Sequence, residues 1–208
     1  MYMKNKNLWL GLVLLFTCNI KLSAQYSKED STYKECFIGS SAFMLGNLLP
    51  EDSPDFVQLN IGYRVTEKDV VSLEVKTWRY HHSLGIPYGD EYAQDEFRFP
   101  GFIRERGFAL VYQRFLWKGL YTGVHVMNAW QGFINEEGQK IDNGFQIFNT
   151  YRLGYHFKLF NNRFFLEPSI AITHRAFHTE MPESFKKMDA GRSKFFFGEP
   201  GLHFGYNF

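Results

Sequence analysis

Gly201-Leu202-His203-Phe204-Gly205-Tyr206-Asn207-Phe208 places an apolar or aromatic side chain at every second position, with glycine or polar residues between them. In extended backbone, successive side chains point to opposite faces, so Leu202, Phe204, Tyr206 and Phe208 share one face of a strand. Terminal residues ordinarily fray, because ordering them costs conformational entropy that packing must return. Alternation carried through Phe208 therefore calls for a neighbouring strand and an apolar surrounding on one side.

Working outward from that strand, the same period recurs along the chain. Val57, Leu59, Ile61, Tyr63 and Val65 alternate with Gln58, Asn60, Gly62 and Arg64. Phe145, Ile147, Tyr151, Leu153, Tyr155 and Phe157 alternate with Gln146, Thr150, Arg152, His156 and Lys158. The pattern predicts strands over 34–46, 55–65, 70–82, 104–116, 120–133, 144–159, 164–178 and 194–208. Tight connections at 66–69, 117–119 and 160–163 alternate with longer ones at 47–54, 83–103, 134–143 and 179–193. Every second connection being tight is the signature of an up-and-down barrel whose termini lie on the short-turn side. The expected fold class is all-β, an eight-stranded antiparallel up-and-down transmembrane β-barrel forming one domain over 25–208.

The final strand also resembles the closing strand of bacterial outer-membrane barrels, whose last residues are read by the assembly machinery. That resemblance implies an assembly signal in Phe204, Tyr206 and Phe208. The opening residues agree with export. Lys4 and Lys6 precede an apolar run from Leu8 to Phe16, and Leu22-Ser23-Ala24 supplies small residues before Gln25. This reads as a cleavable signal peptide over 1–24, since the run is far shorter than the ~20 residues of a spanning helix. A lipoprotein signal using Cys18 is the competing reading, with Thr17 a poor fit before it. As a whole the chain resembles small outer-membrane barrels of the outer-membrane protein A and X type. Its leader and aromatic-rich strands also resemble outer-membrane proteins of Bacteroidota.

The formal charge is +1, and loss of Lys4, Lys6 and Lys21 with a leader that has no acidic residue brings it to −2. A near-neutral chain offers no electrostatic footprint for nucleic acid. Of the cysteines Cys18 and Cys36, only Cys36 would survive cleavage, so an intrachain disulfide is not expected. Aromatic residues make up 19% of the chain, which favours strands.

Alternation assigns the two sides of the wall. Val71, Leu73, Val75, Leu120, Thr122, Val124, Val126 and the apolar set of the last strand, Leu202, Phe204, Tyr206 and Phe208, should face lipid. Glu74, Lys76, Arg152, His156, Glu167, Arg175, Glu199 and His203 should point inward. An eight-stranded barrel is just wide enough for side chains to fill, so Glu74, Lys76, Arg152, Glu167 and Glu199 are expected to pair as a lumen charge network. Arg152, Glu167 and Glu199 are the leading candidates for direct pairing. Aromatic belts are expected at both interfaces: Tyr63, Trp117, Tyr121, Phe160, Phe164, Phe165, Tyr206 and Phe208 near the tight turns, and Trp78, Tyr80, Phe108, Trp130 and Phe145 near the opposite ends.

For chemistry, the candidate is Arg79-Tyr80-His81-His82-Ser83-Leu84-Gly85. Spacing by two puts His81 and Ser83 on one face, counted as the lipid-facing one, and a serine beside a histidine is the arrangement of acyl transfer. The stretch resembles the His-x-Ser motif of lipid A deacylases, but Leu84 stands where an asparagine is usual and the motif falls in the first half of the barrel. The plainer reading is a polar rim where strand becomes loop. His174 and His178 would stand about 13 Å apart in a strand at ~3.3 Å per residue, too far to share a metal ion, and no cofactor is expected. Asp90, Glu91, Asp95 and Glu96 in the second long loop could gather calcium or bridge to lipopolysaccharide phosphates, while Arg79, Arg104, Arg106, Arg175 and Arg192 near the outer rim could contact lipid phosphates.

The sequence therefore points to an integral outer-membrane barrel of a Gram-negative bacterium with a side-chain-filled lumen, both termini periplasmic, and a structural or surface-interaction role. Its expected partners are outer-membrane lipids and lipopolysaccharide, with the barrel-assembly machinery during insertion. Two other classes stay open: a lipid A acyl hydrolase or transferase using His81 and Ser83, and a soluble periplasmic lipocalin-like barrel enclosing an apolar ligand.

Overall fold

Period-two alternation produces a ring of antiparallel strands. The computed structural model describes residues 33–50, 53–85 and 98–208. The expected leader 1–24, Cys18, and Asp90, Glu91, Asp95 and Glu96 lie outside them. In chain order the elements are β1 (Cys36–Ser41), a 3-10 segment (Ala42–Leu48), β2 (Val57–Arg64), β3 (Asp69–Tyr80) and a 3-10 turn (Ser83–Gly85). They continue with β4 (Phe102–Trp117), β5 (Leu120–Ile134), β6 (Lys140–Tyr155), β7 (Phe157–Leu159), β8 (Phe164–His178), a short helix α1 (Glu183–Asp189) and β9 (Phe195–Asn207).

Neighbours in sequence pair with one another around the sheet, β9 returns to β1, and β6 pairs with β8. β6 and β7 are one wall strand interrupted at His156, and both pair with β8, so the ring has eight members. Closure between first and last strands runs from Ser41 opposite His203 to Phe37 opposite Asn207. Beyond it, Phe208 N–H donates to the Cys36 carbonyl at 2.9 Å and Cys36 N–H to the Phe208 carbonyl at 3.2 Å.

The first strand is shorter than expected. The chain leaves the ring after Ser41, whose hydroxyl accepts from Phe43 N–H at 3.2 Å and caps the 3-10 segment. Ala42, Phe43, Met44 and Leu45 form an unbroken apolar run, so period two has already stopped there. The connection expected over 134–143 is instead a hairpin turn, with Asn135 N–H donating to the Gln139 carbonyl and Gly138 in the left-handed region at φ 77°. The fourth long connection contains α1.

Two buried clusters close the lumen. Near the tight turns, Phe37, Val70, Phe115, Tyr121 and Phe165 pack together, with Phe37 edge-on to Phe165 at 5.5 Å. The Phe37 ring occupies the space that a side chain at Gly62 would need, which is why glycine stands there. Near the long loops, Tyr80, Phe99, Ile103 and Phe133 pack with Met181 and Phe185, so α1 and its flank cover that end.

The aromatic expectations divide along these lines. Trp117, Phe160, Phe164, Tyr206 and Trp130 are exposed on the outer face. Tyr121, Phe165 and Tyr80 are buried inside, and Trp78 lines the lumen. Their neighbours explain it: Phe164, Thr122 and Val75 already hold the outer face, so the residues in register with Phe165, Tyr121 and Trp78 must turn inward.

Candidate functional site in the barrel lumen

Between the two clusters lies a cavity of about 260 Å³. Its floor, toward the tight turns, carries Glu74 from β3, His125 from β5, Arg152 from β6 and His203 from β9. Higher up it is lined by Lys76, Trp78, Met127, Phe148, Phe196 and Glu199, with Phe43 contributed by the 3-10 segment and Phe56 standing just before β2. Each strand supplies alternate residues, so one wall presents a column of inward groups at two-residue intervals.

The charges are organised into pairs. Arg152 donates to Glu199 Oε1 at 3.0 Å and to Ser169 Oγ at 2.9 Å, while Thr173 donates to the other Glu199 oxygen at 2.5 Å. Gly201 makes room for this, because a side chain there would collide with the Arg152 guanidinium. Glu74 contacts His125 Nδ1 at 3.2 Å and lies 3.8 Å from the Lys76 ammonium. That ammonium sits over the rings of Phe148 and Trp78, at 4.8 and 5.2 Å from their centroids. Glu167 lies nearer the tight turns, 2.7 Å from His156 Nδ1 and accepting from Gln113 Nε2 at 3.1 Å. Of the expected trio, Arg152 and Glu199 are therefore direct partners, and Glu167 belongs to a separate group.

A further polar layer was not read from the sequence. Glu105, only 1% exposed, accepts from Trp78 Nε1 at 2.9 Å, Tyr80 hydroxyl at 3.0 Å and Gln146 Nε2 at 2.5 Å. Gln131 Nε2 donates to the Tyr80 hydroxyl at 2.7 Å and completes the cluster. The signal was present in the alternation of Ile103, Glu105, Gly107 and Ala109 against Arg104, Arg106 and Phe108, but the flanking arginines mask it.

The structure separates His81 and Ser83. β3 ends at Tyr80, so strand parity no longer governs these residues, and the expected shared lipid-facing side does not exist. Ser83 turns inward and donates to Asp189 Oδ1 on α1 at 2.5 Å. His81 Nδ1 instead meets the Gly101 carbonyl at 2.9 Å. Arg175 completes the Ser83 contact: Nη1 and Nη2 reach the two Asp189 oxygens at 2.9 and 2.6 Å, in the bidentate geometry favoured by guanidinium and carboxylate. Arg175 is 4% exposed, so it is an internal latch residue and does not belong to the lipid-contacting rim. Arg104 and Arg79 at that rim engage Asp55 and the Ser53 carbonyl respectively. Phe204, Tyr206 and Phe208 project outward and are exposed.

Compared with known protein families, with curated proteins and with solved structures, the chain matches none significantly.

Two expectations follow from these contacts. Replacing Arg152 alone by methionine strands the Glu199 carboxylate, and should cost about 3 kcal/mol of unfolding free energy. Combining Arg152→Met with Glu199→Leu should recover most of that loss; urea titration showing additive losses would contradict the pairing. The second concerns Asp189. Burial pushes its carboxyl up, but hydrogen bonds from Arg175 and Ser83, with the Arg175 and His178 charges, hold it below the ordinary carboxylate range. A depressed folded value means that the latch contributes in full above the unfolded value near 3.9 and is lost as pH falls through the lower, folded value. Hydrogen exchange corrected for intrinsic rates should therefore show α1 protected at neutral pH and released only in strong acid, whereas Asp189→Ala should release it at neutral pH.

Proposed function

We propose that this chain is an integral outer-membrane barrel of a Gram-negative bacterium, with a closed lumen and a structural or surface-interaction role. The observation that carries the reading is the inverted polarity of the wall. Ile61, Leu73, Leu110, Val126, Leu153 and Ile170, from different strands, are exposed on the outside, while Glu74, Glu105, Arg152 and Arg175 are buried inside. Soluble monomers rarely expose continuous apolar surface beyond a few hundred Å². A lipid surrounding reverses the cost, because apolar side chains then lose nothing by facing outward and a closed ring satisfies the backbone internally.

Exposed rings at both ends fit the same placement. Tyr63, Trp117, Phe160 and Tyr206 cluster toward the tight turns and Trp130 and Phe177 toward the other end, as aromatic girdles do at membrane interfaces. The exposed apolar outer face, set over buried charges such as Glu74, Arg152 and Arg175, argues against a soluble lipocalin-like barrel. In this placement the tight turns and both termini face the periplasm, and α1 caps the extracellular side.

Fractionation of expressing cells should place the protein in the outer membrane as a band whose gel mobility changes on boiling. Recovery in the soluble periplasmic fraction without detergent would refute the proposal. With both ends of the lumen packed, planar bilayers containing the protein should show little conductance.

A further inference from the structure

Outward charges are distributed unequally between the two ends of the wall. Near the tight turns, Arg114 of β4 faces outward and its Nη1 lies 2.5 Å from Asp69 Oδ1, one cation against one carboxylate. The long-loop end is different. There Arg79 of β3 stands directly opposite Arg104 of β4, and Arg106, two residues along on the same face, is paired in register with the exposed Trp130 of β5. Lys140 opens β6. Its Cε lies 3.5 Å from the outward position that a side chain at Gly132 would take, so its stem crosses β5 at the residue paired with Arg104.

Like charges set face to face across a ladder repel one another. Asp55 offsets part of that repulsion, since Arg104 donates to its Oδ2 at 2.8 Å and Arg79 Nε lies 3.7 Å from the same oxygen. The Phe102 ring steadies both guanidinium groups, 5.4 Å from Arg79 and 6.0 Å from Arg104. Arg106 and Lys140 are exposed and, among the described residues, form no ion pair, although Glu136, Glu137 and Asp142 lie in the adjoining hairpin. The patch therefore holds four cations, Arg79, Arg104, Arg106 and Lys140, against the one carboxylate of Asp55, an excess of three. Its depth on the wall is set by its neighbours. Toward the tight turns, Val75, Phe108 and Leu110 face outward, and the Trp130 ring stands 5.9 Å from Phe108 and 5.4 Å from Phe145. An apolar band, then rings, then cations is the order found at a membrane interface, with the cations at the level of headgroup phosphates.

Resting on the outer-membrane placement proposed above, we propose that this patch binds the phosphate groups of an outer-leaflet glycolipid of the lipid A class. Arg79 and Arg104, held in place by Ser53, Asp55 and Phe102, offer their remaining N–H donors to one phosphate. Arg106 and Lys140 take a second, and the acyl chains run down the wall over Trp130, Phe108 and Leu110. Guanidinium groups suit phosphate because paired N–H donors match its oxygens. An excess of three positive charges favours a headgroup with two phosphates over the single charge of a glycerophospholipid. The long-loop end is the extracellular side in that placement, so the outer leaflet is the one these cations meet.

The test uses the full-length protein, purified in a non-ionic detergent and verified by its heat-modifiable band, with diphosphoryl lipid A as the probe. Native mass spectrometry should show one lipid A per barrel, with phosphatidylglycerol and fully dephosphorylated lipid A each bound at least about fivefold more weakly, the effect of one charge at a membrane surface. Arg106→Gln and Lys140→Gln should each weaken lipid A binding roughly fivefold. Lys118→Gln, which removes an exposed cation at the tight-turn end, should leave it unchanged. Equal binding of dephosphorylated lipid A, equal binding of phosphatidylglycerol, the same effect from all three substitutions, or no lipid adduct at all would each overturn the proposal. The lipid comparisons need no variant, so they decide the question even if a substitution impairs folding. None of these outcomes alters where the protein fractionates, so failure of the binding site is distinguishable from failure of the membrane placement.

Discussion

Ring closure between the first and last strands is the constraint on which the remaining architecture depends. A sheet edge exposes unpaired N–H and C=O groups, and only a closed ring removes them. Here β1 and β9 meet over Phe37–Ser41 and Asn207–His203, and the paired Cys36 and Phe208 backbones extend the contact by one position. Closure also divides the chain's side chains into two populations. Whatever alternates inward must be satisfied inside a narrow lumen, and this forces Arg152 onto Glu199, Glu74 onto His125 and Glu105 onto Trp78, Tyr80 and Gln146. A buried charge without such partners costs several kcal/mol.

The same constraint, met only over the lower half of the seam, accounts for the most individual features of the molecule. Because Ala42–Leu48 coils away, β9 from Phe195 to Leu202 has, among the described residues, a strand partner only in β8. The 3-10 segment and its Phe43 stand where wall should be, and the cavity lies beside this seam. At the far end, α1 is fastened to the barrel by the Arg175–Asp189–Ser83 contact. Ser83 thereby belongs to a latch, with its hydroxyl committed to a carboxylate.

Strand parity was the most legible property of the sequence. The strand expected over 164–178 appears as Phe164–His178, and the eight-member ring follows from alternation and turn spacing. Inward charges were legible for the same reason, since Glu74 lies between Leu73 and Val75, Arg152 between Tyr151 and Leu153, and Glu199 keeps the parity of His203. What misled was side-chain type read ahead of parity. Tyr121, Phe165, Trp78 and Tyr80 suggest interface rings by chemistry, yet their positions turn them inward. Glu105 was hidden by flanking arginines. Where period two stops, the reading stops as well: the 3-10 segment after Ser41, the departure from strand geometry after Tyr80 and the helix α1 depend on caps and on long-range contacts such as Arg175 with Asp189, which local pattern does not encode.

The central claim, that the outer face meets lipid and the inner face does not, is tested most directly by the three tryptophans of 25–208. Trp117 and Trp130 are exposed at 65% and 53% on the outer wall, whereas Trp78 donates to Glu105 within the lumen. Single-tryptophan variants reconstituted into bilayers of brominated lipid should show strong quenching of Trp117 and Trp130 and weak quenching of Trp78. Strong quenching of Trp78 with none at Trp130 would mean that the wall is turned the other way, and the account would be wrong.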